Sequence, residues 1–290
     1  MTKEKTSQIV IVVGLVLVII EAAIIIALLL GRTVGTTTEV HMTTQTIPTT
    51  VEPTTVVTEP PLPKSGLTAD DFVEVDGFMT CTAEQYMTGI DVSSHQGYID
   101  WNKVRDAGIQ FVIIRLAYRG YGDEGKLVTD EMAQRNYKGA KAAGLLVGGY
   151  VFSQALNEEE AVEEAERVLD ITKDWELDLP VAFDWEFLHF DARTDGMDKD
   201  SITDCALAFC RRLEEGGVKP MLYTGARMST LDMQRVQEYP MWLALYTDTM
   251  TYPYWMSFWQ YSCTGSVPGI TGDVDLNIFL TGSKFMPTEE

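Results

Sequence analysis

The sequence predicts an α/β fold on a mainly parallel sheet, with a ligand cleft at the carboxyl ends of its strands. Three observations lead there. Short apolar runs alternate with amphipathic helical stretches from about residue 87 onward, the pattern of repeated strand–helix units. The runs are apolar on both faces, which demands cover on both sides or closure into a barrel. Acids and aromatics gather where the runs end, and that is where such sheets bind ligands. Eight runs with five helices fit a barrel whose last three strands lack helical crossovers. An open doubly wound sheet is the competing architecture, but the Gly-rich phosphate fingerprint it often carries is absent.

Taken in order, the chain opens with a short basic tail (1–8) and a 22-residue apolar run, Ile9 to Leu30, interrupted only by Glu21. At about 1.5 Å per residue that run crosses a hydrocarbon core of about 30 Å. It is longer than a signal-peptide core and is followed by a poor cleavage site, so an uncleaved transmembrane helix is expected rather than secretion after cleavage. Lys3 and Lys5 precede it and only Arg32 follows closely, which places the N-terminus inside and the bulk of the chain outside the cell membrane. Residues 31–66 form a linker; within it, 12 of the 31 residues from Thr33 to Pro63 are threonine, with five prolines. No period there can bury a face, so a disordered, extended stalk is expected.

Globular composition begins at Leu67. Residues 67–88 read as a preamble, a hairpin or loop covering one end of the domain that follows (89–282), with a short tail at 283–290. Strands are expected at Met87–Val92, Phe111–Ala117, Leu145–Phe152, Pro180–Asp184, Lys219–Tyr223, Met241–Leu245, Ser257–Tyr261 and Val274–Leu280. Helices are expected at Trp101–Ala107, Asp130–Ala143, Asn157–Thr172, Ser201–Glu215 and Met228–Tyr239. Asp130 and Asn157 are expected N-caps, and Gly144 and Gly216-Gly217 are stop signals.

Composition narrows the function. The net charge is −21, and residues 1–66 hold five acids and four bases, so nearly all of it falls on the globular part. That argues against nucleic acid as a partner. The three histidines, His41, His95 and His189, lack metal-ligand spacing with one another or with the four cysteines, so neither a metal nor a cofactor is expected. Cys205 and Cys210 lie on different faces of one helix and cannot readily pair, whereas Cys81 with Cys263 is geometrically open; free thiols are favoured.

The chemistry concentrates in Leu179-Pro-Val-Ala-Phe-Asp-Trp-Glu186. Strand side chains alternate, so Asp184 and Glu186 project from one side, roughly 6–7 Å apart along the backbone. An acidic turn after a core strand would look the same in isolation. Other strand ends add Asp91 with His95, Arg115 with Tyr118, Tyr150 and Tyr223, which together suggest a lined sugar cleft.

The segments Gly89-Ile-Asp-Val-Ser-Ser-His-Gln-Gly97, Ile99-Asp-Trp101, Phe183-Asp-Trp-Glu186, Phe258-Trp-Gln-Tyr261 and Val274-Asp-Leu-Asn277 resemble glycoside hydrolase family 25, the N-acetylmuramidases or lysozymes. The resemblance runs in order from about Gly89 to Leu280. It implies a flattened TIM-like barrel of eight strands and five helices, acting on bacterial cell-wall peptidoglycan at the β-1,4 bond from N-acetylmuramic acid to N-acetylglucosamine. It further implies that Glu186 is the general acid, that Asp184 positions or stabilises the reacting centre, and that Asp91 and Asp275 are the other two active-site acids.

Crowded carboxylates cannot all ionise, so one is expected to keep its proton near neutral pH. Glu186 is the better acid by reach, while Asp184 assists attack by the substrate's own acetamido group. His95, Tyr150, Tyr223, Arg115, Tyr118 and Trp259 are candidate substrate contacts. Asp275 begins its strand, which fits a parallel barrel only if that strand is reversed or offset. A noncatalytic wall-saccharide receptor and a chitinase-like glycosidase are the competing functions.

Overall fold

The computed structural model describes residues 62–188, 191–226, 230–247 and 249–282. The expected transmembrane run at 9–30, most of the linker and the tail at 283–290 lie outside them. Among the described residues no helix is long and apolar enough to cross a membrane.

Eleven strands and four α-helices are present among the described residues: β1 (Phe72–Val75), β2 (Phe78–Cys81), β3 (Tyr86–Val92), α1 (Trp101–Asp106), β4 (Phe111–Arg119), β5 (Leu127–Thr129), α2 (Ala133–Ala143), β6 (Leu146–Ser153), α3 (Glu158–Thr172), β7 (Val181–Trp185), α4 (Lys199–Glu215), β8 (Pro220–Gly225), β9 (Met241–Ala244), β10 (Phe258–Gly265) and β11 (Val274–Leu280). Neighbouring strands run in the order β3-β11-β10-β9-β8-β7-β6-β4, and β3 also pairs with β4, so eight strands close into a barrel. The open doubly wound sheet is excluded. β5 adds only a short antiparallel edge to β4.

Six neighbouring pairs in the ring are parallel; β11 is antiparallel to both β10 and β3. Its amino end therefore sits beside the carboxyl ends of the others. Asp275 lies opposite Asp91 in the β11–β3 register, which resolves the awkward position of Asp275 in the sequence.

Phe111, Ile113, Met221, Phe258 and Phe279 fill the barrel interior, with the Phe258 and Phe279 rings stacked at 4.2 Å. Gly89 belongs to this layer because a Cβ there would come within 2.4 Å of the Phe111 ring. Outside, α3 and α4 cover β6, β7 and β8, and α1 and α2 cover β3 and β4. The caps explain several helix starts: the side chains of Asp100, Asn157 and Asp198 accept from the backbone N–H groups of Lys103, Glu160 and Ser201.

The helix-free strands are covered differently. The β1–β2 hairpin, turning at Asp76-Gly77 with both residues at positive φ, packs Phe72, Met79 and Cys81 against Trp259, Ile278 and Leu280. The preamble is thus a hairpin, lying on the outer face of the last strands rather than over an end. All four cysteines are free thiols, and Cys263 alone is exposed.

Two expectations are corrected. No helix forms over residues 230–239, so the expected Met228–Tyr239 helix is absent there and the described α-helices number four. Asp232 makes an Asx turn, its side chain accepting from Gln234 N at 3.0 Å, and Arg235 N bonds to the Asp232 carbonyl; these short-range bonds replace helical ones. Asp130 is not the cap of α2, which begins at Ala133 after Met132, because its carboxylate is used inside the site.

Candidate active site

The four acids named from sequence converge at one mouth of the barrel. Asp91 is the penultimate residue of β3, Asp184 that of β7, Glu186 follows β7 directly, and Asp275 is the second residue of β11. Asp91 and Asp184 are buried, whereas Glu186 and Asp275 are half-buried.

They form two pairs. Asp184 and Glu186 share a side-chain hydrogen bond; burial first, then the charges of Glu186 and Asp91, push the Asp184 carboxyl well above its usual range. Across the barrel seam, Asp91 and Asp275 are also hydrogen-bonded, and burial followed by the Asp275 charge raises Asp91 well above its usual range. Burial raises Asp275 as well, against the lowering effect of the Asp91 hydrogen bond. Asp184 therefore keeps its proton to a higher pH than an isolated carboxyl would.

Two carboxamides hold Asp91 from behind. Gln260 Nε2 and Asn277 Nδ2 each donate to Asp91 Oδ2 at 2.8 Å. Each carboxamide is fixed in turn: Trp242 Nε1 donates to Asn277 Oδ1 at 2.8 Å, while the Tyr223 and Tyr246 hydroxyls donate to Gln260 Oε1 at 2.9 and 2.8 Å. Only Asp91 Oδ1 is left to face its partner acid and the cleft.

Arg115 supplies the site's positive charge. Its Nε donates to the buried Asp130 Oδ2 at 2.8 Å and its Nη2 to Ser94 Oγ at 3.1 Å. Asp130 also accepts from Ser94 N and Met132 N, so this one carboxylate ties the loop after β3 to the start of α2. The Arg115 charge opposes the rise of Asp184. Its guanidinium lies 5.0 Å from the Tyr118 ring centroid. A β-bulge between Arg115 and Ala117 puts Tyr118 opposite Phe152, returning it to the inner face; simple alternation would have turned it outward. Tyr150 lies opposite Arg115 in the β4–β6 register, and burial with the nearby Asp91 charge raises its phenol far above normal.

The remaining candidates divide. Tyr223 is buried within the Gln260 network. His95 is exposed on the 3-10 turn Ser94–Gln96 at the rim. Trp259 is not at the cleft: it is fully buried, packs edge-on against Phe72 at 5.2 Å and donates from Nε1 to the Leu245 carbonyl. Its neighbour Gln260 takes the inner face, so alternation turns the indole outward. Gln260, Asn277, Trp242 and Tyr246 were not identified as site residues from sequence, although a carboxamide inside an otherwise apolar strand was a legible signal for the first two. Among the described residues no group of His, Cys, Asp or Glu is arranged to hold a metal ion.

A closed barrel with paired acids at its mouth is an arrangement that carboxylate-based glycoside hydrolases use. The chain belongs to glycosyl hydrolases family 25, which matches residues 90–270. It is 32% identical over 199 residues to the autolytic lysozyme of Clostridium acetobutylicum, covering 68% of this chain and 56% of that protein. It is 30% identical over 204 residues to Lysozyme M1 of Streptomyces globisporus, covering 66% of this chain and 67% of that one. The chain thus spans little more than half of the first relative's length. Among solved structures, the bacterial lysozyme of Streptomyces coelicolor superposes with a TM-score of 0.52 at 27% identity, over 68% of this chain and 94% of that one.

Proposed function

We propose that the chain is a muramidase, hydrolysing the β-1,4 bond between N-acetylmuramic acid and N-acetylglucosamine in bacterial peptidoglycan. The observation that carries the reading is the hydrogen-bonded pair Asp184–Glu186 at the barrel mouth, in a chain similar to proteins named lysozymes. Glu186, the less buried partner, is the general acid that protonates the glycosidic oxygen. Asp184 accepts the N–H of the substrate's 2-acetamido group as the acetamido oxygen attacks the anomeric carbon.

One proton held by the hydrogen-bonded pair serves both roles: on Glu186 it loads the acid and leaves Asp184 ionised to receive the acetamido N–H. Glu186, having given up the proton, then takes one from the water that opens the cyclic intermediate, and the anomeric configuration is retained. Asp91 and Asp275 add negative potential that stabilises positive charge at the sugar ring. The test is a defined peptidoglycan digest by the purified chain, with products identified by mass spectrometry. New reducing muramic-acid ends are expected, and Glu186→Gln should abolish them. Reducing glucosamine ends, or full activity in that variant, would refute the assignment.

We also propose residues 9–30 as a single-pass membrane anchor and the linker after it as an extracellular stalk, which ends before Pro63–Ser65 because these pair with Pro253–Trp255 of the enzyme. This rests on the 22-residue apolar length, broken only by Glu21, and on the placement of Lys3 and Lys5 before it.

A further inference from the structure

Glu186 lies just beyond the strand that delivers it. The β6–β7 register ends at Ser153 opposite Trp185, and the β7–β8 register ends at Phe183. An acid that must meet a glycosidic oxygen within hydrogen-bond reach needs its backbone held.

A side chain that reaches the Glu186 carbonyl is Gln154, fully buried in the turn after β6. Its Nε2 donates to the carbonyls of Ser153 at 2.9 Å and Glu186 at 3.4 Å. Its Oε1 accepts from Thr194 Oγ1 at 2.8 Å. The Gln154 carbonyl accepts from Arg193 Nη1 at 3.4 Å, and Arg193 makes a two-pronged pair with Glu160 on α3 at 2.7 and 3.0 Å. Arg193 N also donates to the Tyr121 carbonyl at 2.9 Å. Donor and acceptor of this one carboxamide are thus both engaged, joining the acid's backbone to a loop that is itself anchored on the outer helix layer. Resting on the muramidase reading above, we propose that Gln154 is a positioning residue that sets the reach of Glu186 through its carbonyl, with Thr194 and Arg193 as the far end of the clamp.

A carboxyl replacing the carboxamide discriminates positioning from bulk. Ionised, it cannot donate to the Glu186 carbonyl; protonated, it can. Gln154→Met should lower kcat by about 10–100-fold with KM within about twofold, as expected when an acid is displaced without loss of substrate contacts. Gln154→Glu should match that loss at pH 8 and recover toward the wild-type ratio as the pH falls to 5, relative to wild type at each pH. Thr194→Val, which keeps the Gln154 donor, should lose less, about 3–10-fold. Folding is followed by near-UV circular dichroism; if Gln154→Met does not fold, Thr194→Val and Gln154→Glu carry the test. Wild-type kcat in the folded variants, a loss confined to KM, or a pH-independent loss in Gln154→Glu overturns the inference alone while wild type stays active. A wild-type chain that releases no muramic-acid ends overturns the muramidase reading and this inference with it.

Discussion

Glu164 is a buried charge that the fold tolerates only conditionally. It lies on the inner side of α3 with no exposure, and its Oε1 accepts from Arg119 Nε at 2.6 Å. Beyond Arg119, only the Ser153 side chain favours its charged form by hydrogen bonding. Arg119 is shared with Glu163 at 2.8 Å and with the carbonyls of Gly125 and Glu160, so its field is spread over several acceptors. Burial outweighs that field and raises Glu164 from 4.5 to about 7.

Because the folded value lies above the unfolded one, protonation favours folding. The stabilisation is complete below about pH 4.5 and is lost as the pH rises through 7. At about 1.36 kcal/mol per pH unit between the two values, the loss amounts to about 3 kcal/mol. Glu164→Gln removes the titration while keeping the shape and an acceptor for Arg119. Asp91, Asp184 and Asp275 are raised too and act in the same direction, but they are common to both proteins and cancel in the difference. Urea unfolding between pH 4 and pH 8 should show wild type losing about 3 kcal/mol relative to the variant, at constant m. Parallel stability curves, or a gap of opposite sign, would refute the reasoning.

Two further outcomes are expected. Tyr223→Phe and Tyr246→Phe should each cost a few-fold in kcat, because the other hydroxyl still serves Gln260 Oε1; the double variant should lose more than the two combined, since it strands a buried acceptor at about 1–3 kcal/mol, and additive losses would argue against a shared acceptor. Deleting residues 1–32 should move the protein from the carbonate-resistant membrane fraction to the soluble fraction with its turnover of soluble muropeptide oligomers unchanged, whereas retention in the membrane would refute the anchor.

The parts of the fold that read clearly from sequence were those with a local cause. Val274–Leu280 matches β11 at both ends because Gly272 before it and Gly282 after it bound the apolar run on each side. Asn157 marked the start of α3 because its cap is contained within four residues. Residues 230–239 misled because Met233 and Val236, at a helical spacing of three, pack against the core here without a helix, while Asp232 spends the backbone donors locally. Among site residues, the four acids were visible as charges at strand ends. Their supports were harder to assign: a carboxamide inside an apolar strand flags Gln260 and Asn277, but the acid they hold stands 169 and 186 residues away in the chain. Trp259 misled for the opposite reason: it neighbours the site in sequence, yet strand alternation sends it to the other face.

Closing the barrel and assembling the site are one event. Asp91 meets Asp275 only when β11 inserts antiparallel between β10 and β3 in the register that places those two residues opposite. The same register sets Asn277 Nδ2 against Asp91 Oδ2 and brings Gln260 to the same oxygen from β10. A slip of one residue would turn Asp275 and Asn277 outward and Val274, Leu276 and Ile278 into the cleft, removing both the facing acid and one of the two donors. Burying Asp91 beside a second acid opposes closure, and the paired carboxamides with the stacked Phe258 and Phe279 below them favour it. The reversal of this single strand also explains how a barrel that presents its chemistry at the carboxyl ends of its parallel strands recruits an acid from the amino end of another. The sheet's polarity is broken at the one place where two carboxyls must face each other across a seam.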